Sequence, residues 1–229
     1  MNTPRYNAFN QIHKGLRTFL YDTALFIQRT DLSQPEKGEE VMQQTELLLS
    51  LFESHAHGED HFFNEPLEKT DSQIAKMFEK EHEQDHWLGQ VITDLILQWR
   101  NESTDEGRKI TGRRLFYAFN EFIAFNLYHM NKEEIELNSL LWERYTDGEI
   151  KTIEQTLVAQ VPPPKMAVYS KWMIRGMNDT ELIHWFQEVR EFAPAPLFGL
   201  LAGILRAELS VERVAFIERE LNETVKRVA

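Results

Sequence analysis

Cysteine is absent from the 229 residues. Disulfides, iron–sulfur ligation and thiolate zinc sites are therefore excluded outright, and the absence fits a reducing compartment. An excess of positive charge is absent as well. Twenty-five Lys and Arg stand against 37 Asp and Glu, for a net charge of −12. With no basic stripe along the chain, nucleic acid and an anionic membrane surface are not expected partners. Long apolar runs are missing too. The longest, Pro194 to Leu205, is too short to span a bilayer and is interrupted by proline and glycine. The first ten residues lack the charged-then-apolar profile of a signal peptide, so the expected location is cytoplasmic. Strand signals are scarce: few alternating runs, few β-branched clusters and no Asn-Gly hairpin turn.

Helical periodicity is what remains. Four long segments stand out, at about residues 5–30, 39–64, 72–102 and 109–145. The first ends at the polar stretch 31–38, the second stops before Pro66, the third follows an Asp71-Ser72 cap signal, and the fourth closes at Asp147-Gly148. Short connections between long helices make neighbours antiparallel. The expected fold is thus all-α, an up-down-up-down four-helix bundle over 1–148. Beyond it, Pro162-Pro163-Pro164 is a rigid break and the helical segments shorten, so 149–229 reads as a helical C-terminal extension.

Seven of the eight histidines fall between residues 13 and 129, and helical spacing assigns their faces. On the first segment Phe9, His13, Leu16, Leu20 and Thr23 share a stripe. On the second the stripe is Leu48, Leu51, Phe52, His55, Glu59 and Phe62, which leaves His57 and His61 on the solvent side. The third reads Ile74, Phe78, His82, His86, Gly89, Ile92 and Ile96. The fourth reads Leu115, Phe119, Phe122, Asn126, His129, Glu133, Leu137 and Leu140. Each helix supplies at least one inward imidazole, and antiparallel packing brings them to a common height. The chain also repeats itself: His55-x-x-x-Glu59-Asp60 is echoed by His129-x-x-x-Glu133-Glu134, with Asn64 matched by Asn138.

Any one of these histidines is readily a satisfied core residue. Together they are not. Five imidazoles and two carboxylates buried without a cation would leave many polar groups unpaired, at about 1–3 kcal/mol each. Imidazole with carboxylate suits iron, manganese or zinc, and two carboxylates placed to bridge imply a pair of ions. If six-coordinate ions share Glu59, Glu133 and one solvent oxygen, the ion beside His82, His86 and His129 is complete. The ion beside His13 and His55 keeps one open position, suited to dioxygen, nitric oxide or peroxide.

The order His … His-x-x-x-Glu … His-x-x-x-His … His-x-x-x-Glu resembles the hemerythrin-like (HHE cation-binding) family over about residues 9–145. The resemblance implies two oxo- or hydroxo-bridged non-haem iron ions, with manganese or zinc as substitutes. It places His13 and His55 on one ion, His82, His86 and His129 on the other, and Glu59 and Glu133 between them. Glu134 also follows His129, but the inward face selects Glu133. The ferritin-like di-iron class wants Glu-x-x-His on two helices; Glu79-x-x-His82 has no counterpart at His129, where Asn126 stands instead.

Two functions are compatible with this reading. One is binding or sensing of a small ligand. The other is a di-iron enzyme of oxidative or nitrosative stress defence, removing peroxide or repairing iron–sulfur clusters. A third option is a metal-stabilised scaffold whose extension takes a protein partner or a second copy. His184, beside Trp185 and Phe186, reads as a packed helix residue rather than a ligand. The register of Tyr6, Tyr117 and Tyr128 does not demand that they approach the pocket.

Overall fold

A computed structural model describes residues 5–64 and 72–228; Pro66 and Asp71, read above as stop and start signals, lie outside them. Among the described residues there is helix and no strand. None of the helices is long and apolar enough to cross a membrane. The helices are α1 (Asn10–Arg29), α2 (Pro35–Glu59), α3 (Ser72–Asn101), α4 (Asp105–Lys132), α5 (Asn138–Arg144), α6 (Asp147–Gln160), α7 (Pro163–Gly176), α8 (Asp179–Phe192), α9 (Ala195–Glu208) and α10 (Val211–Val228). A π turn, Asp60–Asn64, prolongs α2, and a second, Glu133–Leu137, joins α4 to α5.

Local chemistry sets the ends. The Asn7 side-chain oxygen accepts the backbone N–H groups of Phe9 and Asn10 at 2.9 and 3.1 Å, so α1 starts later than its periodicity suggests. Pro35 occupies the first turn of α2, where a missing N–H costs nothing, and the helix starts earlier than expected. The Thr104 hydroxyl accepts from Gly107 N–H at 3.0 Å and opens α4. Thr146 and Glu149 form a reciprocal capping box at the start of α6.

The chain divides into two compact units. The first comprises Met1–Asn10 with Phe19–Val161, the second Gln11–Thr18 with Pro162–Ala229, so α1 contributes to both. In the first unit, the Trp99 indole N–H at the end of α3 donates to Leu32 O at 2.9 Å, and Arg108 of α4 donates to Ser33 O at 3.1 Å. The α1–α2 and α3–α4 connections thus meet at one end. Gly38 lets the Trp99 ring lie against α2, since a Cβ there would stand 2.1 Å from it. Further along, Phe9, Phe63, Phe78, Leu137, Leu141 and Ile150 form a buried apolar cluster, with Phe9 and Phe63 ring centroids 5.1 Å apart.

Ile150 explains why the break between units falls at Val161/Pro162 and not at 148/149. It is fully buried in that cluster, and Ile153 and Leu157 pack beside it, so α6 belongs with the first unit. In the second unit Gly176 approaches Lys14 O and the Thr18 hydroxyl, Lys14 pairs with Glu181, and Leu182, Phe186, Leu201, Leu205 and Ile217 are buried.

Candidate metal centre

The inward stripes of α1 and α4 are buried as their spacing requires: Phe9, His13, Leu16, Leu20 and Thr23 on α1; Leu115, Phe119, Phe122, Asn126, His129 and Glu133 on and just beyond α4. On α2, Leu48, Leu51, Phe52 and Glu59 are buried and His55 is half-buried, while His57 and His61 are exposed. Ligand atoms of these residues come together in two groups that can hold a metal ion. His13, His55, Glu59 and Glu133 make one; Glu59, His82, His129 and Glu133 make the other. Within each, all atoms lie within 4.8 Å of one another. Glu59 and Glu133 belong to both groups, and each is only 1% exposed.

The internal repeat has a structural counterpart. His55 Nε2 stands 3.1 Å from Glu59 Oε1, one helical turn on, and His129 Nε2 stands 3.1 Å from Glu133 Oε1. In both places the α-helix gives way to a π turn at the carboxylate or directly after it. A π turn inserts one residue into the helical register, a device concentrated at functional sites. Its effect is visible in the packing beyond each carboxylate. The buried residues there are Phe63 and Leu141, whereas an uninterrupted α stripe points Phe62 and Leu140 inward; those two are only partly buried.

His86 departs from the sequence reading. It is exposed and belongs to neither group; Asp85 is buried in its place. The reason lies in the pitch of α3. From Phe78 the stripe steps by four to His82 and then by three to Asp85, returning to within about 20° of its start at 100° per residue. A second step of four, to His86, drifts about 80° off the face. The aspartate is tolerated inside because Asn126 Nδ2 donates to its Oδ1 at 2.5 Å. Burial pushes the Asp85 carboxyl above its ordinary pKa, against the lowering effect of Asn126. Other side chains the sequence left open lie elsewhere. Tyr117 and Tyr128 are exposed, Tyr6 bonds to Glu154, and His184 is exposed rather than packed.

The orientation of the two deepest imidazoles comes from carboxylates the sequence did not single out. His82 Nδ1 lies 2.7 Å from Asp60 Oδ1, and His129 Nδ1 lies 2.8 Å from Glu81 Oε2; Glu81 is held in turn by Lys132. A carboxylate on Nδ1 fixes the proton there and turns Nε2 toward the site, the arrangement by which proteins orient metal-binding histidines. Asp60 directly follows Glu59 in the repeat and Glu81 directly precedes His82, but no periodicity marks either as a partner. Phe125 stacks on the His129 ring at 5.8 Å with 10° between planes, and Phe78 meets it edge-on at 5.9 Å. The centre is thus walled by aromatic carbon on this side.

The electrostatics call for positive charge between Glu59 and Glu133. Burial lowers the pKa of His82, but the hydrogen bond with Asp60 and the nearby Glu133 and Glu59 carboxylates more than offset this and push it up to about 12. His129 is raised as well: burial opposes, while Glu133 and Glu81 prevail. Burial and the charge of Glu59 push Glu133 upward, yet His129 and His82 hold its carboxyl below the usual range. His82 Nε2 is buried without a hydrogen-bond partner and sits 3.6 Å from both Glu59 Oε2 and Glu133 Oε1. Three donors converge beyond hydrogen-bonding length, with Nδ1 already committed to Asp60. That is the disposition of ligands about a cation, and a metal binding here competes with a proton at His82.

The donors are imidazole nitrogen and carboxylate oxygen only, a set suited to iron, manganese or zinc. Compared with protein-family models, with curated proteins and with solved structures, the chain finds no match.

Proposed function

We propose that α1 to α4 form an up-down-up-down four-helix bundle of the hemerythrin-like type that holds two iron ions, and that the protein binds or senses a small ligand such as dioxygen, nitric oxide or peroxide. One observation carries this reading: two ligand groups that share Glu59 and Glu133, each completed by two histidines. His13 and His55 would hold one ion, His82 and His129 the other, with both carboxylates common to the pair. Two imidazoles and two shared carboxylates would leave each ion room to take up solvent or a small ligand as well. His86 is not needed as a ligand.

When bound, the iron pair supplies reversible electron transfer and a place for the ligand to coordinate. The chain supplies the rest. Asp60 and Glu81 hold the imidazole protons on Nδ1 of His82 and His129, and Phe78 and Phe125 keep water from one side of the centre. Rapid mixing of the reduced, iron-loaded protein with dioxygen, nitric oxide or peroxide tests the proposal. A charge-transfer band that forms within the mixing experiment and persists supports binding or sensing. Fast decay with consumption of excess peroxide supports the stress-defence enzyme. A reduced protein whose spectrum ignores all three contradicts both.

A further inference from the structure

A cavity of about 620 Å³ opens between α2 and α3. Among the described residues, its lining includes the carboxylates Glu53, Asp60, Glu79, Glu83 and Asp85 and the imidazoles His57, His82 and His86, and no lysine or arginine. These groups are graded by depth. Glu53, Glu79, Glu83, His57 and His86 are exposed at the mouth, Asp60 is half-buried, and Asp85 and His82 are buried at the inner wall. Acidic side chains alone would be a solvated surface. The inner wall adds an independent feature: His82 is 7% exposed, and its Nε2 is without a hydrogen-bond partner.

We propose that this cavity is the access route and transient holding site for divalent cations on their way to the metal centre, with Glu53 and Glu83 at its mouth capturing the ion and His82 receiving it. The proposal rests on the metal-centre reading above and assigns the cavity residues outside the ligand set, including the outward-turned His86, to loading. A cleft lined by one sign of charge with low-dielectric walls concentrates the opposite ion and accelerates its arrival by about 10- to 1,000-fold at low salt. The cavity has that charge, and Leu49, Phe52 and Phe122 supply apolar wall.

The test uses metal-free full-length protein mixed rapidly with cobaltous ion, whose visible absorption reports coordination. The double variant Glu53→Gln/Glu83→Gln is compared with a control of equal net charge, Glu36→Gln/Glu106→Gln, at two exposed sites away from the cavity. The proposal expects the cavity variant to load about fivefold more slowly or worse at low salt, to reach the wild-type stoichiometry, and to lose its deficit as salt rises. The control should load at the wild-type rate. A cavity variant as fast as wild type, or a control slowed equally, overturns the proposal while leaving the metal centre intact. Wild-type protein that takes up no cobalt overturns the metal centre itself, and the loading route falls with it.

Discussion

Glu133→Ala should strip the protein of metal, taking the content from about two ions per chain to near zero by elemental mass spectrometry. Among the ligands only Glu59 should do as much, because these two carboxylates each contribute an oxygen to both donor groups; Glu133 also lies within 3.6 Å of both deep histidines. Losing a terminal histidine costs one ion a ligand; losing either shared carboxylate costs both. The effect on stability follows by mass action. A ligand present at about a thousand times its dissociation constant stabilises the native state by about 4 kcal/mol. At roughly 2–4 °C per kcal/mol for a chain of this size, metal-loaded wild type should melt about 8–16 °C above the variant. Glu133→Gln separates shape from charge: it keeps the volume and should lose metal nearly as completely, because an amide is a far weaker ligand for these ions. A variant of either kind that retains two ions would remove Glu133 from the centre.

His82→Ala and His86→Ala should part company sharply, although the two residues are one helical turn apart. His82→Ala removes a buried ligand nitrogen and leaves Asp60 without its imidazole partner, so metal content should fall to one ion per chain or less. His86→Ala should keep the full complement, since the residue is exposed and outside both groups. The reverse result, metal lost with His86 and kept without His82, would mean that α3 presents a different face from the one described.

Why these two histidines were hard to separate shows where sequence patterns run out. Helical faces read directly from spacing held on α1, α2 and α4, where apolar residues flank the polar ones on both sides and leave little freedom in the phase. On α3 the run Phe78, His82, His86 is an equally acceptable row of i, i+4 neighbours, and only the placement of Leu88, Ile92, Leu95 and Ile96 in the core fixes the true phase. That phase puts Asp85 inside, a residue that pattern reasoning sends to solvent because it cannot foresee the Asn126 amide waiting for it. The π turns were equally invisible. They arise from tertiary packing around Glu59 and Glu133, and they shift the buried residue from Phe62 to Phe63 and from Leu140 to Leu141. The partnership of Asp60 with His82 and of Glu81 with His129 depends on side-chain geometry between helices that periodicity does not encode. What did show through was the conjunction itself: imidazoles on four helices, two of them each one turn ahead of a carboxylate that is buried.

The most direct measurement is the metal-to-chain ratio of the wild-type protein purified from iron-replete cells. The account predicts about two iron ions per chain, removed together by a chelator with a drop in melting temperature. A fully folded protein with a ratio near zero, melting at the same temperature with and without chelator, would contradict it.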